Sequence, residues 1–116
     1  MRIESNTISA KNKAGGKNEI FITHLLTPAE MVGQCEMFAS VVIPPGASIG
    51  EHYHYGNTET YHILSGVGTY SDDGDIYEVF PGDTVFCPDG SAHSIENKGN
   101  EDLKFIALII KSPKAE

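Results

Sequence analysis

The sequence predicts an all-β domain whose strands form a sandwich or barrel, and three observations carry that reading. Beyond Gln34 the chain falls into apolar-rich runs of about four to eight residues, punctuated by Gly, Pro, Asn and Asp. No β-α-β crossover separates those runs, which excludes a parallel sheet. Helix signals are confined to Thr27–Pro28–Ala29–Glu30–Met31, with Thr placed to cap, Pro at the first position and Glu at the third. That is one turn of helix.

Taken in order, residues 1–18 are rich in Asn, Lys, Ser and Gly and read as a mobile or loosely docked N-terminal arm. Residues 19–116 read as one β domain. Its strands are Glu19–Leu26, then Glu36–Ile43 ended by Pro44–Pro45–Gly46, then Glu51–Tyr55 and Glu59–Leu64 separated by Gly56–Asn57. Val67–Ser71 and Ile76–Val79 flank Asp72–Asp73–Gly74–Asp75, whose Asp-Gly step is a hairpin signal. Thr84–Cys87, Ser91–Asn97 and Leu103–Lys111 complete the set. Short strands at regular spacing with turn chemistry between them are the pattern of a sandwich or barrel.

At 116 residues the chain is one domain's worth. A domain of that size buries only about two-thirds of its unfolded surface. A homodimer is therefore expected, with Glu19–Leu26 in the interface. The formal net charge of −8 repels phosphate backbones and anionic lipid heads, so neither nucleic acid nor membrane is an expected partner. Lys11, Lys13 and Lys17 form a loose basic group that reads as a solvated face of the arm. The longest apolar run, Phe105 to Ile110, is too short to span a bilayer, and residues 1–15 are too polar for a leader. A cytoplasmic location is expected. In that compartment Cys35 and Cys87 read as two reduced thiols.

The chemistry concentrates between Gly46 and Gly66. His52 and His54 are two apart, so on a strand both imidazoles point to one face, about 7 Å apart. They can converge on one ion at roughly 2.1 Å each. Glu59 follows a short turn and can add a carboxylate from beside them. His93 comes much later, from a strand expected to lie across the barrel. Three imidazoles and one carboxylate hold an ion with one or two coordination positions left open, as catalytic sites do.

Two wider patterns frame these residues. Gly46, His52, His54, Glu59 and Gly66 stand at the intervals G-x5-H-x-H-x4-E-x6-G, and Gly82, Pro88, Gly90, His93 and Asn97 at G-x5-P-x-G-x2-H-x3-N. The chain thereby resembles the cupin family, whose two motifs have this form. The resemblance implies a double-stranded β-helix, the jelly-roll cupin barrel. It also implies one divalent metal ion (manganese, iron, nickel, copper or zinc) held by His52, His54, Glu59 and His93. The run from Gly46 to Gly74 is loosely similar to that of small bacterial oxalate-binding and oxalate-decarboxylase-like cupins.

Alternation from Glu59 sends Tyr61 and Ile63 inward and His62 outward, so Tyr61 is the candidate catalytic or orienting residue and His62 no ligand. His24 lies outside both motifs. Tyr53, Tyr55 and Ser94 should face away from the ion, and Asn97 should bond backbone. Either Met37, Ala39 and Val41 or Phe38, Ser40 and Val42 line the pocket. Arg2 is the only arginine, so no Arg forks a ligand carboxylate inside the barrel. An anionic ligand must then bind the metal directly. The expected function is an enzyme of oxidoreductase, lyase or isomerase type acting on a small oxygen-rich or anionic metabolite bound to the metal. The alternative is a binding module for a small acid or sugar without turnover, favoured by the lack of an inward-facing general acid or base, since Glu51 and Glu96 have the wrong parity.

Overall fold

Alternation of apolar and polar residues builds ten strands in the computed structural model, which describes residues 1–113. They are β1 (Asn6–Lys11), β2 (Glu19–His24), β3 (Cys35–Ile43), β4 (Ser48–Tyr53), β5 (Asn57–Ser65), β6 (Gly68–Asp72), β7 (Asp75–Val79), β8 (Thr84–Cys87), β9 (Ala92–Glu96) and β10 (Leu103–Lys111). One helical turn, α1 (Pro28–Met31), precedes β3. The Thr27 N–H and hydroxyl both donate to the Glu30 carboxylate at 2.8 Å, the local bonding the Thr-x-x-Glu spacing predicts. The last three residues of the expected domain, 114–116, lie outside the described residues.

The strands form two sheets. One has six strands in the order β1-β2-β3-β10-β5-β8, the other four in the order β4-β9-β6-β7, and the pairings within both are antiparallel. The jelly-roll architecture expected from the motifs is present. Inner-face residues of β3 (Ala39, Val41, Ile43), β5 (Tyr61, Ile63) and β10 (Leu103, Phe105, Ala107) are buried and pack with Ile49, Tyr70 and Ile95 of the four-stranded sheet. Asp73 and Gly74 join β6 to β7 with φ of 51° and 93°, the double left-handed turn that an Asp-Gly step favours. Among the described residues no helix is long and apolar enough to cross a membrane.

The N-terminal segment departs from the expected arm. Asn6–Lys11 is a strand, paired with β2 from Asn6 opposite His24 to Lys11 opposite Glu19. Its side chains are almost all exposed, so its hydrophobic signal is weak; backbone pairing, a Thr7–Thr23 hydroxyl bond of 2.7 Å and the packing of Ala10 on the core commit it to the sheet. A short 3₁₀ turn, Lys13–Gly15, then lies against β4.

The expected strand Glu51–Tyr55 also differs: it starts at Ser48, ends at Tyr53 and contains a β-bulge. Ile49 pairs with Ile95 and His52 with His93, so Gly50 and Glu51 together face Ser94. The bulge switches parity, which lets both Ile49 and His52 face the interior although they stand three positions apart. Backbone crowding explains the glycine. A Cβ on Gly50 would overlap the Ala14 carbonyl oxygen, and one on Gly16 the Ser48 carbonyl oxygen. Gly50→Ala and Gly16→Ala are each expected to destabilise the fold by about 1–3 kcal/mol, the usual cost of overpacking, as read by chemical denaturation. Unchanged midpoints would show that the turn does not dock on β4.

Candidate metal centre

Neighbouring strands and facing sheets bring four donors to one point. His52 stands on β4, His54 one residue past its end, His93 on β9 and Glu59 on β5. Their ligand atoms all lie within 4.8 Å of one another. The routes differ from those expected. His93 does not cross the barrel: β9 pairs directly with β4, and His93 sits opposite His52. Glu59, close in sequence, is the residue that comes from the facing sheet. The connection between the histidine strand and β5 crosses between sheets, and chain proximity does not reveal that.

Glu59 Oε1 is 3.0 Å from His54 Nε2, 3.0 Å from His93 Nε2 and 3.7 Å from His52 Nε2. His93 Nε2 lies 3.1 Å from the Nε2 atoms of both His52 and His54. His54, Glu59 and His93 are buried, while His52 is half-buried.

The outward ring nitrogens fix the tautomers. His52 Nδ1 is 2.8 Å from the Gly50 carbonyl oxygen, which only accepts, so Nδ1 carries the proton. His54 Nδ1 is 2.7 Å from Asn57 Oδ1, and the Asn57 amide nitrogen donates to Glu36, so the oxygen faces the imidazole. Both neutral rings therefore aim an Nε2 lone pair at Glu59 and His93. His93 Nδ1 meets the Tyr70 hydroxyl at 2.8 Å.

Lone pairs and a carboxylate around one point repel unless a proton or cation joins them, and the donor spacing fits a cation. Two ligands about 2.1 Å from an ion and at right angles to it stand about 3.0 Å apart. The outer bonds to Gly50, Asn57 and Tyr70 are of the kind that orient metal-bound imidazoles.

The titration shifts express the same crowding. Burial alone would raise the Glu59 carboxyl, but the three imidazoles beside it, in whichever form carries an Nε2 proton, outweigh burial and hold the group below its ordinary range. The hydrogen bond to Glu59 raises His54, whereas burial lowers His93.

Tyr61 forms part of the wall. Its ring stacks on His93 at 5.0 Å and 24° and packs on Phe105 at 4.3 Å. Burial, then the Glu59 carboxylate, raises its phenol well above the usual tyrosine range, so it remains a hydroxyl. A cavity of about 390 Å³ opens on His52, His54, Glu59 and Tyr61. Met37 and Val41 line it, which settles the parity of β3 in favour of the Met37, Ala39 and Val41 face.

The remaining expectations resolve residue by residue. His62 points outward and bonds Thr84 Oγ1 at 2.8 Å. His24 pairs with Asn6 away from the donors. Asn97 is fully buried and bonds the backbone of Ile43, Gly99 and Glu101. Cys35 and Cys87 are unbridged. Three participants were not foreseen. Tyr70 and Asn57 support the imidazoles, and Lys13, read as a solvated arm residue, lines the cavity. Inward alternation along β6 would have placed Tyr70 in the interior; nothing in sequence places Lys13.

Two facing antiparallel sheets with three histidines and one glutamate that could hold a metal ion beside a cavity define a class of small β-barrel domains. The chain belongs to the cupin family: the family model described as Cupin domain matches residues 39–109. It is 44% identical over 99 residues to a Thermotoga maritima protein named oxalate-binding protein, covering 85% of this chain and 82% of that one. It is 37% identical over 90 residues to an uncharacterized protein of Methanocaldococcus jannaschii, covering 78% and 72%. A crystal structure from T. maritima, described as a predicted oxalate decarboxylase, superposes with a TM-score of 0.91 at 41% identity, covering 94% of this chain and 95% of that one.

Tyr70→Phe removes the partner of His93 Nδ1 and keeps the ring. Affinity for added manganese, measured by calorimetry, is expected to fall about 10–100-fold, the usual loss on deleting such a supporting bond. Unchanged affinity would separate Tyr70 from the centre.

Proposed function

We propose that this protein holds one divalent ion with His52, His54, Glu59 and His93 and binds a small oxygen-rich acid directly on that ion. The observation that carries this reading is the convergence of two tautomer-fixed lone pairs, a third imidazole and an ionised carboxylate at the spacing of ligands around one ion. Manganese, iron, nickel, copper and zinc all accept such a set. Four protein donors around a six-coordinate ion leave two positions, enough for a chelating acid. The bound ion supplies Lewis acidity toward the acid's oxygens.

The chain's own residues do the rest. Glu59 lowers the net charge of the centre, the Tyr61 hydroxyl orients the ligand from the wall, and the apolar lining excludes water. The relative named for oxalate binding supports a chelating diacid as the ligand. Turnover of the acid, in an oxidoreductase, lyase or isomerase reaction, is the enzymatic form of the proposal. Binding without turnover is the second reading, and one observation favours it. Among the described residues that line the cavity, only Lys13 and Tyr61 hold a titratable proton outside the donor set.

His52→Ala and His93→Ala are each expected to lose most bound metal while keeping the far-ultraviolet circular dichroism of the parent. Full occupancy by elemental analysis in either variant would overturn the assignment. Manganese- and iron-loaded protein incubated with oxalate, with and without air, separates the two readings: consumption of oxalate supports an enzyme, and saturable binding without consumption supports a receptor.

We also propose a homodimer. The outer face of the six-stranded sheet exposes Phe21, Leu64, Phe86 and Ile110, a spread of apolar side chains that a second copy would cover. Light scattering at micromolar concentration is expected to give twice the chain mass; a monomeric mass would refute the pairing.

A further inference from the structure

The cavity is larger and more apolar than a two-carbon acid on an ion requires. Its volume of about 390 Å³ falls among clefts of roughly 300–1,000 Å³ that enclose most of a small organic molecule. Away from the donors and Tyr61, its walls include Ile22, Val41, Ile49, Phe105 and Ile109. One further charge lines it. Lys13 is the only lysine or arginine among the described lining residues, and it is exposed, at the rim.

The turn that brings Lys13 there is firmly built. Asn12 and Ala14 hold left-handed φ of 51° and 54°, a conformation that persists in non-glycine residues only where surrounding bonds enforce it. Those bonds run from Asn12 N–H to Asn18 O at 2.9 Å, from the Asn12 side-chain amide to Gly16 O at 3.0 Å and from Gly16 N–H to Lys13 O at 2.9 Å. Lys17 then clamps the segment to β4, its N–H donating to Ser48 Oγ at 2.8 Å and its carbonyl accepting from Ser48 N–H at 2.9 Å. Gly16 and Gly50 allow the backbones to touch. Gly50 also accepts the His52 Nδ1 proton, so the same residue docks the Lys13 turn and orients a donor.

We propose that Lys13 reads a second anionic group on the bound ligand. The ligand class is then an acid with a chelating 2-oxo or 2-hydroxy carboxylate at one end, a short apolar body and an anion at the other. A divalent ion with the Glu59 carboxylate leaves one net positive charge at the donors, and Lys13 adds a second at the rim. Two separated positive charges complement a dianion. The apolar walls of the same cavity accept a hydrocarbon body and, among the described residues beyond the donors and Tyr61, offer no neutral polar side chain to a sugar. The inference rests on the metal-centre reading above and extends it from the coordinated head group to the rest of the ligand.

The test compares 2-oxoglutarate with 2-oxopentanoate, which share a head group and chain length and differ in the distal carboxylate. Calorimetric titration of manganese-loaded protein is expected to show about a tenfold preference for 2-oxoglutarate, between the small effect of an exposed ion pair and the larger one of a charged hydrogen bond. Lys13→Gln should abolish the preference while leaving 2-oxopentanoate affinity and metal content unchanged. Lys17→Gln, which removes a charge of the same segment that pairs with Glu96 at 3.3 Å, should leave the preference intact. Metal-loaded protein that binds both acids equally, binds neither, or keeps the preference in Lys13→Gln would overturn the role of Lys13 alone. Parent protein that takes up no metal would overturn the centre itself, and this inference with it.

Discussion

A buried carboxylate with no lysine or arginine against it among the described residues sets the terms for this fold's interior. Glu59 is 5% exposed, faces three imidazoles and stays ionised. An isolated anion at that depth is costly. Two of the imidazoles commit their Nδ1 protons to Gly50 and Asn57, so in neutral form they present lone pairs, which do not offset a negative charge. Protein atoms alone can balance the site only by adding a proton, and the upward shift of His54 is that demand made visible. A divalent cation meets it without protonation and relieves the crowding between nitrogens 3.1 Å apart in the same act. The Tyr61 ring stacked on His93 and the Tyr70 hydroxyl behind it keep the third imidazole from rotating out of the arrangement.

Delivering four donors to one point is a problem of sheet geometry. His52 and His93 face each other across neighbouring strands, so a hydrogen-bonded ladder sets their separation. His54 sits where β4 has just ended, and its backbone is tied to the loop before β9 by bonds to Ser91 and Gly90. Glu59 arrives from the opposing sheet, and therefore its distance to the histidines depends on how the two sheets pack. Tyr61, Ile63 and Phe105, all buried between the sheets, hold that spacing. The bulge at Gly50–Glu51 makes the two requirements compatible, because Ile49 can anchor the core while His52 turns into the site. Bulges commonly occur beside functional sites for this reason.

How much of the fold and site is legible in the sequence depends on whether a feature is local. The donor identities are legible, because the intervals between His52, His54, Glu59 and His93 combine with glycines and prolines at fixed offsets into a pattern that chance rarely assembles. The inward parity of Tyr61 and the outward parity of His62 follow from strand alternation and hold in the structure. The Asp73-Gly74 turn and the single helical turn after Thr27 are legible because their chemistry lies within a few residues of chain. The sheet partner of His93 is not, because β4 and β9 pair across a long stretch of chain and no local preference encodes the match. The first strand is hidden for a different reason: Ile8 and Ala10, its two apolar residues, are too few to set a hydrophobic period, and pairing with β2 reveals it.

The acidic surface bears on what the cavity can hold. A net charge of −8 disfavours the approach of any anion. At physiological salt, however, charges more than about 8 Å away are largely screened, so local charge around the cavity outweighs the overall balance. There an ion held by Glu59 and the histidines would be one source of positive potential, and Lys13 is the other among the described lining residues. The rest of the wall is hydrocarbon and tyrosine. On the proposed reading, selection for an acid with two anionic ends needs no arginine: the ion would capture one end by coordination, and a single lysine on a tightly pinned turn would account for the other. The N-terminal segment, which contributes almost nothing to the core, is held against β4 by paired backbone bonds and two glycines. That degree of fixation is more than a solvated tail needs, and it places the lysine at the rim of the cavity.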